Sequence, residues 1–251
     1  MELTGTRQAP AAQATPAPAL GSTLETLEGA RRYAAWLYAM AEPHLGPRVL
    51  EVGSGTGTLT QWIASKDRVA AVEVEPAYAR RLRDRFAGSP SVEVYEGSAT
   101  DVELMGRAAR GRIDSAMCFN VLEHIPEDEE VLKIVHDLLP VNGRFVCFVP
   151  AHPLLYGPFD RVLGHVRRYT RRELTAKLAG AGFRVVDIRH VNLPGSFLWF
   201  LSGRVLRRAG VPGGATSLRA YDRFLTPLTR TLEARVRPPF GQSLIAIGER
   251  R

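Results

Sequence analysis

The sequence predicts an α/β fold, in which short apolar strands alternate with helices and build an open sheet. Three observations predict it. A short apolar strand at 48–52 (Val49, Leu50 and Val52) runs straight into glycines at alternate positions, Gly53, Gly55 and Gly57, and a helix-type pattern follows. Alternate glycines let the backbone turn tightly and approach a ligand that a Cβ would push away, while the next helix points free N–H groups at that ligand. A second apolar strand, 69–72, ends in Glu73, 20 positions after Gly53. A nucleotide-type fold puts a carboxylate for ribose hydroxyls at that place. Finally, apolar runs and helical patterns keep alternating as far as residue 189. Glycine-rich turns are common and most bind nothing, so the loop takes its meaning from this context.

In chain order, residues 1–22 are rich in Ala, Pro, Gln and Thr and are expected to form a disordered tail, leaving 23–251 as one domain. Apolar residues at three- and four-residue spacing predict a helix over 23–41, ended by Pro43, with Tyr33 or Trp36 as residues that face a ligand or pack in the core. Helix A follows the glycine loop to about residue 65. Strand two, 68–74, leads into a helix begun by Glu75-Pro76, where proline's missing N–H is harmless. The arginines along that helix read as its wet side. Strands three, four and five are expected at 91–95, 113–119 and 144–149, and acids 127–130 open the helix between the last two. Thr170 to Glu173 forms a capping box that starts another helix, strand six is 183–189 and strand seven 243–248.

Three stretches, VLEVGSGTGTLT (49–60), VAAVEVEP (69–76) and IDSAMCFNVLEHIPED (113–128), resemble the class I S-adenosylmethionine-dependent methyltransferases. The likeness spans roughly residues 45–190. An NAD-type site wants Gly-x-Gly-x-x-Gly, which Gly53-x-Gly55-x-Gly57 does not supply. The resemblance implies a Rossmann-like seven-stranded sheet in the order 3-2-1-4-5-7-6, with helices on both faces and the last strand antiparallel. It implies S-adenosyl-L-methionine as cofactor, with Glu51 opening the loop and Gly53, Ser54, Gly55 and Gly57 holding the methionine end. Glu73 takes the ribose hydroxyls, and the backbone at Asn120 lies near the methionine moiety. Many relatives carry Gly-Asp-Ala after strand three, the Asp binding the adenine amino group. Here Ser98 stands in its place, so the contact falls to Ser98 or to Asp101 reaching back.

Two insertions, at about 150–170 and 191–240, interrupt this pattern. The first is dense in groups that move protons or hold anions, and loops beyond the carboxyl ends of strands carry function in such folds. Its Asp-x-x-x-Gly-His-x-Arg-Arg-Tyr-Thr pattern also looks like a subset of bacterial methyltransferases associated with small molecules, sugars or surface glycans. His165 is the first candidate for a general base, because an imidazole titrates near neutrality, with His124, His152 and Tyr169 behind it. No cluster shows familiar metal-ligand spacing, so no metal is expected.

Composition bounds the rest. The chain of 251 residues is 45% apolar and 24% charged, ordinary for a globular protein. Cys118 and Cys147 sit in apolar strands and read as core thiols of a reduced, cytoplasmic protein, with neither a signal core nor a membrane span. Residues 203–251 hold ten arginines against three acids, and so carry the whole net charge of +7. That excess, with Arg167, Arg168, Arg171 and Arg172 beside the first insertion, suggests an anionic or lipid-linked acceptor entering between the two insertions, and peripheral membrane contact. The expected reaction moves a methyl group to oxygen, nitrogen or carbon of a small-molecule, sugar or lipid-linked acceptor. Nucleic-acid methylation is the enzyme rival, favoured by the basic C-terminus, but residues 120–123 lack the family's Asn/Asp-Pro-Pro-aromatic signature. A non-catalytic S-adenosylmethionine-binding protein is the rival of another class.

Overall fold

The computed structural model describes residues 28–207 and 214–251, so the expected tail and the first turns of the leading helix lie outside the described residues. Seven strands form one sheet: β1 (Arg48–Val52), β2 (Arg68–Glu73), β3 (Val92–Glu96), β4 (Ser115–Phe119), β5 (Arg144–Pro150), β6 (Phe183–Val191) and β7 (Ser243–Arg250). Their order is β3-β2-β1-β4-β5-β7-β6, and β7 runs antiparallel to both neighbours, as the resemblance implied.

The central strands are apolar throughout because both of their faces are covered. Leu50, Val52, Ala70, Val72, Ala116 and Cys118 pack on one side against α4 (Val102–Ala108), α5 (Asp128–Leu138) and α7 (Arg171–Gly180). On the other side, Val49, Val69, Met117 and Phe148 meet Trp36 and Leu37 of α1 (Arg31–Ala41). Trp36 is therefore core. Cys118 and Cys147 lie in register on β4 and β5 as free, buried thiols.

The helix after the glycine loop, α2 (Thr60–Ile63), is one turn long and does not reach residue 65. Lys66 Nζ donates to the Leu45 carbonyl at 3.2 Å and turns the chain back into β2. By contrast α3 (Pro76–Arg85) begins as expected, with Glu75 accepting from the Ala77 N–H. The arginines of α3 are more than a wet side: Arg83 pairs with Glu96, and Arg85 holds the Thr56 carbonyl of the glycine loop at 2.9 Å. Thr170 caps α7 by accepting the Glu173 N–H at 3.1 Å.

The first insertion forms a 3-10 turn, Pro153–Leu155, and one short helix, α6 (Pro158–Val162). The second forms α8 (Leu193–Phe200), α9 (Gly214–Ala220) and α10 (Thr226–Glu233), with wider π-type turns at Leu201–Val205 and Tyr221–Leu225. Its acids anchor it: Asp222 accepts the N–H groups of Arg32 and Tyr33 at the start of α1, and Glu233 those of Asn192 and Leu193 at the start of α8. Its apolar side chains mostly face outward. Among the described residues, twelve of the nineteen exposed large apolar side chains lie between 197 and 240, Phe197, Phe224 and Leu228 among them. Of the aromatic side chains of α8 only Trp199 turns inward, against Phe159, while Phe197 and Phe200 are exposed.

Candidate active site

The glycine loop is tied down from three directions. Gly53 and Ser54 donate to the Val72 carbonyl at 2.8 and 3.1 Å, Arg85 holds Thr56, and the Gly55 N–H donates to Glu73 Oε2 at 2.7 Å. Each glycine has its own reason. A Cβ on Gly53 would come within 2.2 Å of Val121 Cγ2, and one on Gly57 within 2.9 Å of Leu82, so both permit close packing. Gly55 has a φ of +56°, and a Cβ there would meet nothing within 4 Å. This is the glycine whose backbone faces open space, as a cradle for a ligand requires.

Glu73 is buried at the carboxyl end of β2, with Oε1 accepting the Glu75 N–H at 2.9 Å. Burial raises its pKa, and these N–H bonds pull it back. Each carboxylate oxygen keeps acceptor capacity beyond its one N–H. Glu51 is also buried; burial pushes its carboxyl up to about 7, against the hydrogen bond it accepts from Thr60 Oγ1 at 2.6 Å. It supports the loop from below by joining β1 to α2. The Ser54 hydroxyl, buried beside it, lies near enough to help hold the Glu51 carboxyl down but makes no hydrogen bond of good geometry. Ser98 exchanges a hydrogen bond with the Thr100 hydroxyl at 2.8 Å, while Asp101 caps α4 through the Leu104 N–H at 3.0 Å. The Asp101 carboxylate is thus engaged in its own helix. Asn120 is exposed, with φ +54° at the end of β4, and the next residue, Val121, packs on Gly53.

Two residues beyond Val121 a buried polar cluster begins. Asp160 is fully buried and accepts from His165 Nδ1 at 2.9 Å, from Arg168 Nε at 2.8 Å and from the Gly157 N–H at 2.9 Å. Arg168 lies over the Trp199 ring at 4.7 Å and donates to the Ala151 carbonyl. His165 packs edge-on against His124 with ring centroids 4.8 Å apart. Beneath them lies Glu123, 0% exposed, with neither carboxylate oxygen hydrogen-bonded to another residue. Burial pushes Glu123 up to about 7, against the charges of His165 and Arg168. Burial and the neighbouring His165 lower His124 to about 4. Glu123, His124 and His165 each offer a ligand atom within 4.8 Å of the others.

The structure brings His165 and His124 together and puts the other two candidates elsewhere. His152 stacks on His190 at 4.9 Å, beside Phe240. Tyr169 is 0% exposed, and its hydroxyl donates to Asp128 at 2.7 Å at the start of α5. That contact ties the first insertion to the helix after β4, and the hydroxyl reaches no acceptor. Tyr169→Phe should cost about 1.5–3 kcal/mol of stability, the worth of a hydrogen bond to a charged group, with turnover unchanged. Thermal unfolding and initial rates read the two effects separately, and lost turnover in a folded variant would return the hydroxyl to the chemistry. Two of the four arginines differ from expectation, since Arg167 pairs with Asp128 at 2.7 Å and Arg168 with Asp160, while Arg171 and Arg172 are exposed at the start of α7. Neither paired guanidinium is free for an anionic acceptor.

Glu123 was the residue that sequence reasoning passed over. It stood in the quoted motif next to His124, and the only signal was an acid four residues past an apolar strand.

A methyltransferase-domain family model matches residues 25–188. Ribosomal RNA small subunit methyltransferase A of Geobacter sulfurreducens is 39% identical over 67 residues, 26% of this chain and 24% of that protein. Ornithine lipid N-methyltransferase of Singulisphaera acidiphila is 29% identical over 104 residues, 39% of this chain and 54% of that protein. The chain thus spans about a quarter to a half of the length of these curated relatives. A crystal structure of a SAM-dependent methyltransferase from Thermotoga maritima shares the fold with a TM-score of 0.61 and 16% identity, covering 92% of this chain and 96% of that one.

Proposed function

This chain belongs to the methyltransferase-domain family, of the class I S-adenosylmethionine-dependent type, and from that premise we propose that it methylates a nucleophile on a small, apolar or lipid-linked acceptor. The observation that carries the transfer reading is the loop at Gly55, open to a ligand and braced by the Glu73 carboxylate. The residues present fit the cofactor: open space above Gly55, a Ser54 hydroxyl with no hydrogen bond of good geometry, and a buried carboxylate with acceptor capacity to spare. When bound, S-adenosylmethionine supplies a methyl group on a sulfonium, open to in-line displacement.

The chain's own contribution is alignment, exclusion of water and, where the nucleophile carries a proton, its removal. Glu73 orients a ribose through its hydroxyls, and the Ser54 hydroxyl and the loop backbone hold the amino-acid end. Ser98 lies at the turn where adenine is held in relatives. His165, fixed at Nδ1 by Asp160, presents Nε2 toward Glu123 and is the group that takes a proton from an acceptor.

The acceptor class rests on the outward apolar face of residues 197–240 and the arginines exposed within it, Arg204, Arg223 and Arg230 among them. Apolar side chains interleaved with arginine suit an interface with anionic lipid. The likeness to an ornithine lipid N-methyltransferase supports the same class. Among the described residues no helix is long and apolar enough to cross a membrane, so contact would be peripheral.

A second reading, methylation of ribosomal RNA, is favoured by the 39% identity to the Geobacter enzyme, although that match covers 26% of this chain. Incubating the protein with S-adenosylmethionine labelled in the methyl group, and separately with lipid extract, polar metabolites and undermethylated ribosomal RNA, distinguishes them. Label in the lipid fraction is the expected result. Label in RNA alone would establish the second reading, and no label anywhere would defeat both.

A further inference from the structure

We propose that Glu123, His124 and His165 form a binding site for a divalent transition-metal ion of the Zn2+ class. The inference deepens the reading of this cluster as the place where the acceptor is met, and rests on it for the site's role though not for its existence.

The first observation is the carboxylate itself. Glu123 is fully buried, and neither of its oxygens accepts a hydrogen bond from another residue; its own backbone N–H is the one donor turned toward it. The nearest basic atom, His165 Nε2, is 3.9 Å away, beyond hydrogen-bond reach. Arg168 is held by Asp160 and by the Ala151 carbonyl. A buried charge left without a partner is strongly unfavourable, so native structures supply a counter-charge or a ligand.

The second observation is how the two histidines are held. His165 Nδ1 is bonded to the buried Asp160 carboxylate, which fixes the tautomer and leaves the Nε2 lone pair on the Glu123 side. His124 has its Nδ1 side near Gly164, whose backbone hydrogen-bonds the ring. A ligating imidazole is typically held in this manner, its second nitrogen donating to a carboxylate or a carbonyl.

The donor set then selects the ion. Two imidazoles and one carboxylate suit Zn2+, Co2+ or Fe2+, whereas Mg2+ and Ca2+ prefer oxygen ligands throughout. Bonds of about 2.1 Å need ligand atoms about 3.4 Å apart, so the 4.8 Å spread closes by side-chain rotations of about an ångström. Three protein ligands leave a fourth position open, for water or for an acceptor oxygen or nitrogen, and a metal there would acidify the bound group. His165 would then act on the acceptor through the ion. The competing occupant of the gap is a proton shared between Glu123 and His165.

The test uses the full, untagged chain, stripped with a chelator and titrated with Zn2+ by calorimetry and with Co2+ by visible absorption. One equivalent should bind, and Co2+ should develop the bands of a low-coordinate imidazole site. Glu123→Gln should weaken Zn2+ by more than the 10–100-fold that losing a supporting residue costs, while His152→Ala, at the other histidine pair, changes nothing. His124→Asn serves if Glu123→Gln fails to fold, and a Zn2+-dependent rise in the unfolding temperature of the wild type needs no variant. Absence of stoichiometric binding, or equal affinity in Glu123→Gln, overturns the site and favours the shared proton. Methyl transfer that proceeds fully in stripped protein overturns the metal's part in the reaction and leaves the transferase reading intact. Stoichiometric Zn2+ without S-adenosylmethionine binding upholds the site and defeats the transferase reading.

Discussion

Glu73→Ala should weaken binding of S-adenosylmethionine by about 10²-fold or more. The proposed ribose contacts are two charge-assisted hydrogen bonds, each of about 1.5–3 kcal/mol, and even one of them is worth roughly tenfold to 10²-fold. The structure adds a second loss. Glu73 Oε2 accepts the Gly55 N–H and Oε1 the Glu75 N–H, so alanine also unpins the loop from β2. Glu73→Gln keeps the shape and an acceptor oxygen, and should fall between the two. Calorimetric titration decides it: unchanged affinity in Glu73→Ala would remove the ribose assignment and leave the carboxylate as a loop brace only.

His165→Ala should lower turnover by roughly 10²–10⁴ with S-adenosylmethionine affinity intact, the range that loss of a positioned proton acceptor produces. Asp160 and Arg168 still pair in the variant, so the buried ion pair survives and the protein should stay folded. Asp160 is a positioning residue. Asp160→Asn should reduce turnover while leaving the cofactor affinity unchanged, and it should shift the pH profile, which a merely structural residue would not move. Wild-type turnover in His165→Ala would make the ring idle. Loss of cofactor binding would make it part of the cofactor pocket.

The glycine loop and the acid closing β2 were legible before any coordinates, because each depends on local pattern, while the strand order followed from the family resemblance. An apolar run stopped by glycine at alternate positions is a strand followed by a tight turn, whatever surrounds it. The Thr170 cap and the Glu75-Pro76 helix start were equally local, and the structure contains both. Other features depend on what is adjacent in space. Gly53 and Gly55 are both left-handed, and that Val121 also packs on the first while the second stands open cannot be read from a sequence that shows only two glycines.

The cluster beyond β4 shows the same division more sharply. Four residues, His165, His124, His152 and Tyr169, had the right chemistry for a proton acceptor, and sequence offered no way to rank their surroundings. Tertiary packing put Tyr169 in the core on Asp128, stacked His152 on His190, and left His165 between Asp160 and Glu123. Arg167 and Arg168 looked like anion receptors and became internal partners of Asp128 and Asp160. By itself, then, the sequence determined the strands and the glycine turn, since short-range pattern specifies backbone path, and its motifs carried the resemblance that implied the sheet order. Which charges are paired, which are buried and which of the histidines share a carboxylate was decided only by the tertiary structure. Burial and pairing are properties of neighbours brought together from β4, the first insertion and α8, 40 residues and more apart in the chain for Glu123 and His165.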